Sequence, residues 1–264
     1  MLPIYKAIEV IEIISENVGH TKPWVVLVNT PKGLKPYVTK LYSTSQVDQT
    51  HCVSKEVICN ILAGEFELKA PTCALIYIPD ELALQLPMAA QMQYSSIDHR
   101  LKFATLMIDN VTSAIPGLPK SHYNRRISLD TLYAFDNFIR NCDRGNPKSN
   151  LLVSSQDAFL IDHELALSKK DIDVDIQAIL LEDKFTKYHL FYPYLEKTSR
   201  NYRQSLFDEF AFYLNSLNLN ILSTYFNQLV KEGFNDYSQP IFKWLEQVKQ
   251  NESIFVNKLK GSLL

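Results

Sequence analysis

Glycine is scarce in this chain, and the positions of the few glycines exclude the common glycine-rich nucleotide motifs. The 264 residues contain 7 glycines, and no two of them form a G-x-G pair. The sequence therefore has neither the dinucleotide-binding pattern G-x-G-x-x-G nor the phosphate-binding pattern G-x-x-x-x-G-K-[ST]. Any nucleotide site in this chain must hold the phosphates with other groups.

Strong net charge, metal-binding cysteine pairs and long apolar runs are also missing. The net charge is −2, so we expect no direct binding of nucleic acid, which normally requires a basic excess. The 4 cysteines form no C-x-x-C pair, which predicts free thiols rather than a zinc site. The first segment lacks a basic head and carries Glu9 and Glu12, unlike a secretory signal, and no uncharged run could span a bilayer. These absences predict a cytoplasmic protein that does not contact membranes.

The hydrophobic period changes along the chain and predicts an α+β fold with two lobes. Up to about Pro79, segments rich in β-branched and aromatic residues predict strands at 24–29, 37–42 and 73–79, with a helix at 51–64 that stops at Gly64. Later segments predict helices at 82–94, 128–141, 206–221 and 241–248, and a hairpin at 150–162. We therefore expect a small β-rich N-terminal lobe, residues 1–81, and a larger helical C-terminal lobe, residues 82–264.

Polar residues lie at both ends of the predicted hairpin. Asn150 begins its first strand, Asp162 follows its second strand, and Asp143 lies in the polar loop that leads into it. In a tight hairpin, Asn150 and Asp162 come close together at the open end. Mg²⁺ takes one or two carboxylates together with amide and phosphate oxygens, and a separate Asp can orient an attacking hydroxyl. This pattern predicts phosphoryl transfer.

A lysine and a glutamate in the N-terminal part complete the pattern. Lys40 lies inside the predicted strand 37–42, where an unpaired ammonium would be costly. Glu56 lies at the margin of the apolar stripe of the next helix. A strand lysine paired with a helix glutamate directs an ammonium group at nucleotide phosphates in kinases.

In this order the residues resemble the HipA-like kinases. The strongest local matches are NCDRGNPKSNLLV (141–153) and LIDHELA (160–166), and further matches are GHTKPWVVLV (19–28), YVTKLY (37–42) and GEFELKAPTCALIYIP (64–79). The resemblance implies a bilobal protein-kinase-like fold and an ATP- and Mg²⁺-dependent kinase that acts on Ser or Thr of a protein. It also implies, by analogy, a toxin-like kinase restrained by an inhibitory, antitoxin-like protein partner.

The resemblance also implies a role for each matching residue. Asp143 would be the catalytic aspartate, Asp162 the principal metal ligand, and Lys40, held by Glu56, the contact to the α- and β-phosphates. The remaining ATP-binding residues would be Gly19, His20, Thr21 and Lys22 over the phosphates, and Asp80 and Glu81 beside the adenine. Thr21 is the hydroxyl in that phosphate segment on which self-phosphorylation would occur.

Several alternatives remain open at this point. The metal-binding asparagine of the family usually follows the catalytic aspartate by five positions, where this chain has Lys148; Asn146 and Asn150 flank it, and we favour Asn150. That departure motivates a second hypothesis, a catalytically impaired pseudokinase that works as a binding or regulatory module. A third is a small-molecule or lipid kinase on the same scaffold.

Each candidate residue also has an ordinary structural interpretation. Asp143 and Arg144 could form a surface ion pair in a solvated turn. Lys40 could be an edge-strand lysine whose ammonium reaches the solvent, and Glu56 an ordinary residue of a helix surface. Asp162 could be the N-cap of a helix that begins at His163.

Overall fold

The computed structural model of the chain describes residues 1–14, 22–145, 148–179 and 182–264. The strands are β1 (Ile4–Ile13), β2 (Trp24–Thr30), β3 (Gly33–Thr39), β4 (Cys73–Tyr77), β5 (Lys102–Leu106), β6 (Thr112–Ser113), β7 (Leu151–Val153) and β8 (Ala158–Leu160). The helices are α1 (Thr44–Gln49), α2 (Cys52–Glu65), α3 (Asp80–Ala83), α4 (Met88–Ser96), α5 (Lys120–Asn124), α6 (Leu129–Phe138), α7 (Lys169–Ile172), α8 (Tyr192–Glu196), α9 (Arg200–Arg203), α10 (Asp208–Ser216), α11 (Ile221–Lys231), α12 (Ser238–Gln250) and α13 (Glu252–Gly261). This mixture of strands and helices confirms the α+β class.

The chain divides into two compact units, and each unit is assembled from three stretches. Unit 1 contains Met1–Val57, Pro71–Asp109 and Thr224–Asp236. Unit 2 contains Ile58–Ala70, Asn110–Ser223 and Tyr237–Leu264. Helix α2 begins in unit 1 and ends in unit 2.

Unit 1 contains a closed barrel with the strand order β1-β2-β3-β5-β4. β2 and β3 form a hairpin, and Gly33, opposite Thr30, has a φ of +92° that a residue without a side chain adopts easily. β1 pairs with β4 in parallel. Neither β1 nor β5 was predicted from the sequence. In β1, register shifts between Ala7 and Glu9 and between Val10 and Glu12 break the alternation that marks a strand.

The predicted strand 37–42 is wrong at its end, because β3 stops at Thr39. The Lys40 amide still donates to the Phe103 carbonyl at 3.0 Å, and the chain then turns into α1. Ser43 caps that helix, since its hydroxyl accepts from the Gln46 amide at 3.3 Å. Lys40 therefore lies directly after the strand rather than inside it.

Several of the predicted helices also have different ends. The predicted helix 128–141 is shorter, because α6 ends at Phe138, and 206–221 is not one helix, because α10 ends at Ser216 and α11 begins at Ile221. The predicted stop at Gly64 is wrong, because α2 continues through Gly64 to Glu65. The left-handed residue after it is Glu67, with φ 54°, and the Leu68 amide donates back to the Ala63 carbonyl at 2.9 Å. The predicted helix 82–94 is divided into α3 and α4, since Pro87 has an extended conformation and caps α4.

Unit 2 is mainly helical and carries the sheet β6-β7-β8. β7 and β8 are antiparallel, with Leu151 opposite Leu160, which confirms the predicted hairpin. Phe66 packs against Phe135, Phe138 and Phe210, with ring centroids 5.2 to 5.5 Å apart. This aromatic cluster fixes α6, whose C-terminal end leads into the loop that contains Asp143.

Candidate active site

Lys40 and Glu56 form a buried ion pair in unit 1. The Lys40 ammonium bonds to Glu56 Oε1, and the two side chains are 16% and 2% exposed. The Tyr42 hydroxyl donates to the same oxygen at 3.1 Å. The interpretations of Lys40 as an edge-strand lysine and Glu56 as a surface residue are therefore wrong, because β3 is paired on both sides and Glu56 is buried. The pair holds an ammonium in a fixed position.

Asp143 and Asn150 contact each other in unit 2. Asp143 lies in the loop after α6, and Asn150 directly precedes β7. The Asn150 side-chain nitrogen donates to the Asp143 carbonyl at 3.0 Å and to its carboxylate at 2.9 Å. The amide thus orients the carboxylate.

Asp162 lies at the open end of the hairpin, beside the same group. The Ile161 amide donates to the Asn150 carbonyl at 3.2 Å, so the hairpin closes at this point. Asn150 and Asp162 have φ values of 44° and 62°, left-handed conformations that Asn and Asp adopt more readily than most residues. The N-cap interpretation of Asp162 is wrong, because residues 164–167 form turns rather than a helix.

The carboxyl group of Asp143 is electrostatically perturbed. Burial raises the pKa of Asp143, and the negative charge of Asp162 raises it further. The hydrogen bond from Asn150 acts in the opposite direction but does not cancel the shift. A carboxyl group with a raised pKa accepts a proton more readily, which suits a group that must orient or deprotonate a hydroxyl.

Arg144 ties the loop to α6 and to the hairpin. Its Nε lies 2.6 Å from Asp136 Oδ2, and both side chains are 0% exposed. Its guanidinium also donates to the Asn150 carbonyl and lies 3.4 Å from His163 Nε2. The interpretation as a surface ion pair is therefore wrong. Arg144 is a positioning residue for the loop that carries Asp143.

Asp136 is the centre of this network, and sequence reasoning missed it. Its carboxylate accepts hydrogen bonds from His189 Nε2 and from the side-chain nitrogen of Asn141, both at 3.0 Å. The side-chain oxygen of Asn141 in turn accepts from the backbone amide of Asp143 at 3.1 Å. Burial alone would raise the pKa of Asp136, but the Arg144 charge and the His189 hydrogen bond lower it well below its usual range. One feature of the sequence could have indicated Asp136, namely a carboxylate inside the apolar pattern that predicts the helix 128–141. Its partner His189, however, is 53 positions away along the chain.

The other predicted site residues occupy less informative positions. Asp80 and Glu81 begin α3 and are exposed, and the Tyr94 hydroxyl lies 2.9 Å from Asp80 Oδ1. Lys22 is exposed, and its carbonyl accepts from Gln93 at 2.9 Å. The predicted residues that lie outside the described ranges are Gly19, His20, Thr21 and Asn146.

The family model of the HipA-like kinases matches residues 8–220, a range that includes both the Lys40–Glu56 pair and the group around Asp143. The chain belongs to the HipA-like kinase family. A search of curated proteins gave no match. As a HipA-like kinase, the chain is a member of a family of phosphotransferases.

Unit 2 of this HipA-like kinase carries three oxygen donors, and unit 1 carries a held ammonium group. The carboxylates of Asp143 and Asp162 and the amide of Asn150 are hard donors, and the Lys40 ammonium is a fixed cation.

Within the described ranges, every helix is too short or too polar to cross a bilayer.

Proposed function

We propose that this HipA-like kinase transfers the γ-phosphoryl group of ATP, with Mg²⁺, to a Ser or Thr hydroxyl of a protein. The observation that carries the proposal is the hydrogen bond of 2.9 Å from Asn150 to the Asp143 carboxylate, next to Asp162. Family membership supports the reaction class.

Each residue has one role in the proposal. Asp143 orients the acceptor hydroxyl and accepts its proton, and the raised pKa supports this role. Lys40 neutralises the charge of the α- and β-phosphates, and Glu56 holds its ammonium in position. Phosphoryl transfer needs positioning and charge neutralisation more than covalent chemistry, so these groups suffice.

The donors at the hairpin end fit magnesium. Asp162 and Asn150 supply a carboxylate and an amide oxygen, and Mg²⁺ prefers such oxygens to nitrogen or sulfur. The contact with Asp143 uses the nitrogen of the Asn150 amide and leaves its oxygen for a cation. Bound Mg²⁺ neutralises the charge on the phosphates of ATP.

The decisive experiment is the substitution Asp143→Asn. Asn retains an oxygen that accepts the hydrogen bond from Asn150, so the fold should persist, but it cannot accept the proton of a hydroxyl. We expect transfer of labelled phosphate from ATP to fall about 10²- to 10⁴-fold. Asp157→Asn, in the exposed turn between β7 and β8, is the matched control and should keep full activity.

Two results would contradict the proposal. Full activity of Asp143→Asn removes the assigned role. Binding of ATP and Mg²⁺ by the wild type without any turnover points instead to the pseudokinase hypothesis, and phosphorylation of small molecules but not proteins to the metabolite or lipid kinase.

The remaining expectations stay predictions. They are the bilobal protein-kinase-like arrangement, the division into residues 1–81 and 82–264, the cytoplasmic location and the inhibitory, antitoxin-like partner. Co-purification of a partner protein that suppresses phosphate transfer would test the last of these.

A further inference from the structure

A pocket of about 940 Å³ opens in unit 2. Its lining includes lysines and tyrosines from two separate stretches of the chain, namely Lys120, Lys187, Tyr188, Tyr194, Lys197 and Tyr202. The roles proposed above for Asp143, Asn150 and Asp162 use none of these residues.

The charged side chains around this pocket make it basic. Lys120 and Lys197 are exposed, and within the described ranges no carboxylate lies within ion-pair distance of either. Asp130 also lines the pocket, and its partners, the Phe207 amide at 2.9 Å and the Ser128 hydroxyl at 3.2 Å, are neutral, so the lining balances three lysines against one aspartate. Two lysines therefore remain available to a carboxylate-bearing ligand.

Exposed aromatic side chains stand beside these lysines. Tyr188 and Tyr202 are 69% and 71% exposed. Tyrosine is enriched at protein interfaces, because its ring packs against a partner while its hydroxyl forms hydrogen bonds. Lysines and tyrosines together suit an acidic peptide segment.

The pocket is connected directly to the loop that carries Asp143. Gly145 forms a β-bridge with His189, and the Leu190 amide donates to the Arg144 carbonyl at 2.9 Å. His189 and Leu190 both line the pocket. A peptide bound there would therefore contact the segment that pairs with the loop carrying Asp143.

We infer that this pocket binds an acidic segment of the protein acceptor and presents the neighbouring Ser or Thr to Asp143. The inference rests on the proposed function, because it names the substrate class of the same reaction. Lys120 and Lys197 supply the charge complementarity, and Tyr188 and Tyr202 supply the packing surface.

A binding experiment tests the pocket without requiring catalysis. Two fluorescent peptides of equal length carry a central Ser, one flanked by Glu and Asp, the other by Lys and Arg. Fluorescence anisotropy with the full chain and no ATP should show tighter binding of the acidic peptide. In the variant Lys120→Glu/Lys197→Glu we expect about tenfold weaker binding, since attraction becomes repulsion.

The control variant is Lys32→Glu/Lys35→Glu, which makes the same charge change at exposed positions in and after the turn between β2 and β3 of unit 1. It should bind the acidic peptide as the wild type does. Equal binding of the two peptides, or an acidic preference that survives Lys120→Glu/Lys197→Glu, overturns the inference. Tighter binding of a single-stranded oligonucleotide to the same lysines also overturns it.

A phosphorylation experiment separates this inference from the proposed function. With ATP and Mg²⁺, the wild type should phosphorylate the acidic peptide faster than the basic one. Lys120→Glu/Lys197→Glu should lose this preference, whereas Lys32→Glu/Lys35→Glu should keep it. Selective binding of the acidic peptide without phosphorylation contradicts the proposed function and leaves the pocket assignment standing. Phosphorylation of both peptides at equal rates contradicts the pocket assignment and leaves the proposed function standing.

Discussion

Asp136 and Arg144 carry opposite charges, and both side chains are buried. Each buried charge is stabilised by the other. The carboxylate also receives hydrogen bonds from His189 and Asn141. The Phe191 amide donates to His189 Nδ1 at 3.1 Å, so the proton of a neutral ring lies on Nε2, facing Asp136. A buried charge with so many partners restricts the loop to one conformation.

We expect the substitution Asp136→Asn to destabilise the protein strongly. It leaves the Arg144 charge buried without a counter-charge, which costs about 3 to 5 kcal/mol. Urea denaturation followed by circular dichroism should therefore show a lower midpoint. Because the pKa of Asp136 is lowered in the folded state, its contribution is present above the ordinary value of 3.8 and declines as the pH falls below it. The difference in the free energy of unfolding between the wild type and Asp136→Asn should therefore become smaller as the pH falls below 3.8.

The exposed pair Lys69–Asp157 provides the comparison. Asp157→Ala removes an ion pair whose side chains are 58% and 34% exposed, and such pairs contribute about 0 to 1 kcal/mol. If Asp157→Ala lowered the free energy of unfolding as much as Asp136→Asn does, burial would not be the reason why the Asp136–Arg144 pair matters for stability.

At this scale the sequence indicates some site residues and conceals others. Asn150 and Asp162 stand out because they flank the two apolar runs of the hairpin, Asp143 because it lies in the polar loop before it, and Lys40 because it interrupts an apolar segment. The His189–Asp136 contact could not be predicted, since no local pattern links two residues 53 positions apart. Only tertiary packing makes them neighbours.

Among the elements, the close approach of two loops depends on Gly145. A Cβ atom built on Gly145 would lie 2.4 Å from the Tyr188 carbonyl oxygen, closer than side-chain carbons come to backbone. The β-bridge between Gly145 and His189 therefore requires a residue without a side chain. This contact keeps the lining of the basic pocket beside the Asp143 loop.

We expect Gly145→Ala to separate these two loops. Thermal unfolding should show a loss of about 1 to 3 kcal/mol, as for other overpacked sites, and phosphate transfer to a protein acceptor should fall. The matched control is Gly64→Ala in α2, where a Cβ has no neighbour within 4 Å. It should stabilise the protein by about 0.5 to 1 kcal/mol, because alanine favours helix. Unchanged stability of Gly145→Ala would mean that the bridge is not maintained in solution.

The sequence predicts helices and strands well where the hydrophobic residues keep one clear period, and poorly where that period is interrupted. The hairpin of β7 and β8 and the helix α12 follow clear periods and are confirmed. The end of β3 was placed too late, because apolar residues continue into the turn before α1. β1 was missed, because its register shifts disturb the alternation.

At the scale of the whole molecule, distant parts of the chain complete the same unit. Gln228 in α11 bonds to Leu2 twice within unit 1, accepting from its amide at 2.7 Å and donating to its carbonyl at 2.9 Å. The two residues are 226 positions apart. Such a contact could not be predicted from the sequence, because neither residue belongs to a motif.

Gln228→Ala should therefore weaken unit 1. The substitution leaves the amide and the carbonyl of Leu2 unpaired in a buried position, which costs about 1 to 3 kcal/mol. Hydrogen exchange should show faster exchange of the Leu2 amide and of the neighbouring strand β1. Asn227→Ala, at the adjacent exposed position, should change the stability by less than about 0.5 kcal/mol. Equal effects at both positions would contradict the role of Gln228.

The assembly of each unit from three stretches has a consequence for synthesis on the ribosome. The last stretch of unit 1, Thr224–Asp236, emerges only after most of unit 2 has been translated. Unlike the first of two tandem domains, the barrel unit is therefore complete only when all of the helical unit except Tyr237–Leu264 has been translated. A ribosome that terminates before residue 224 therefore releases a polypeptide in which neither unit is whole.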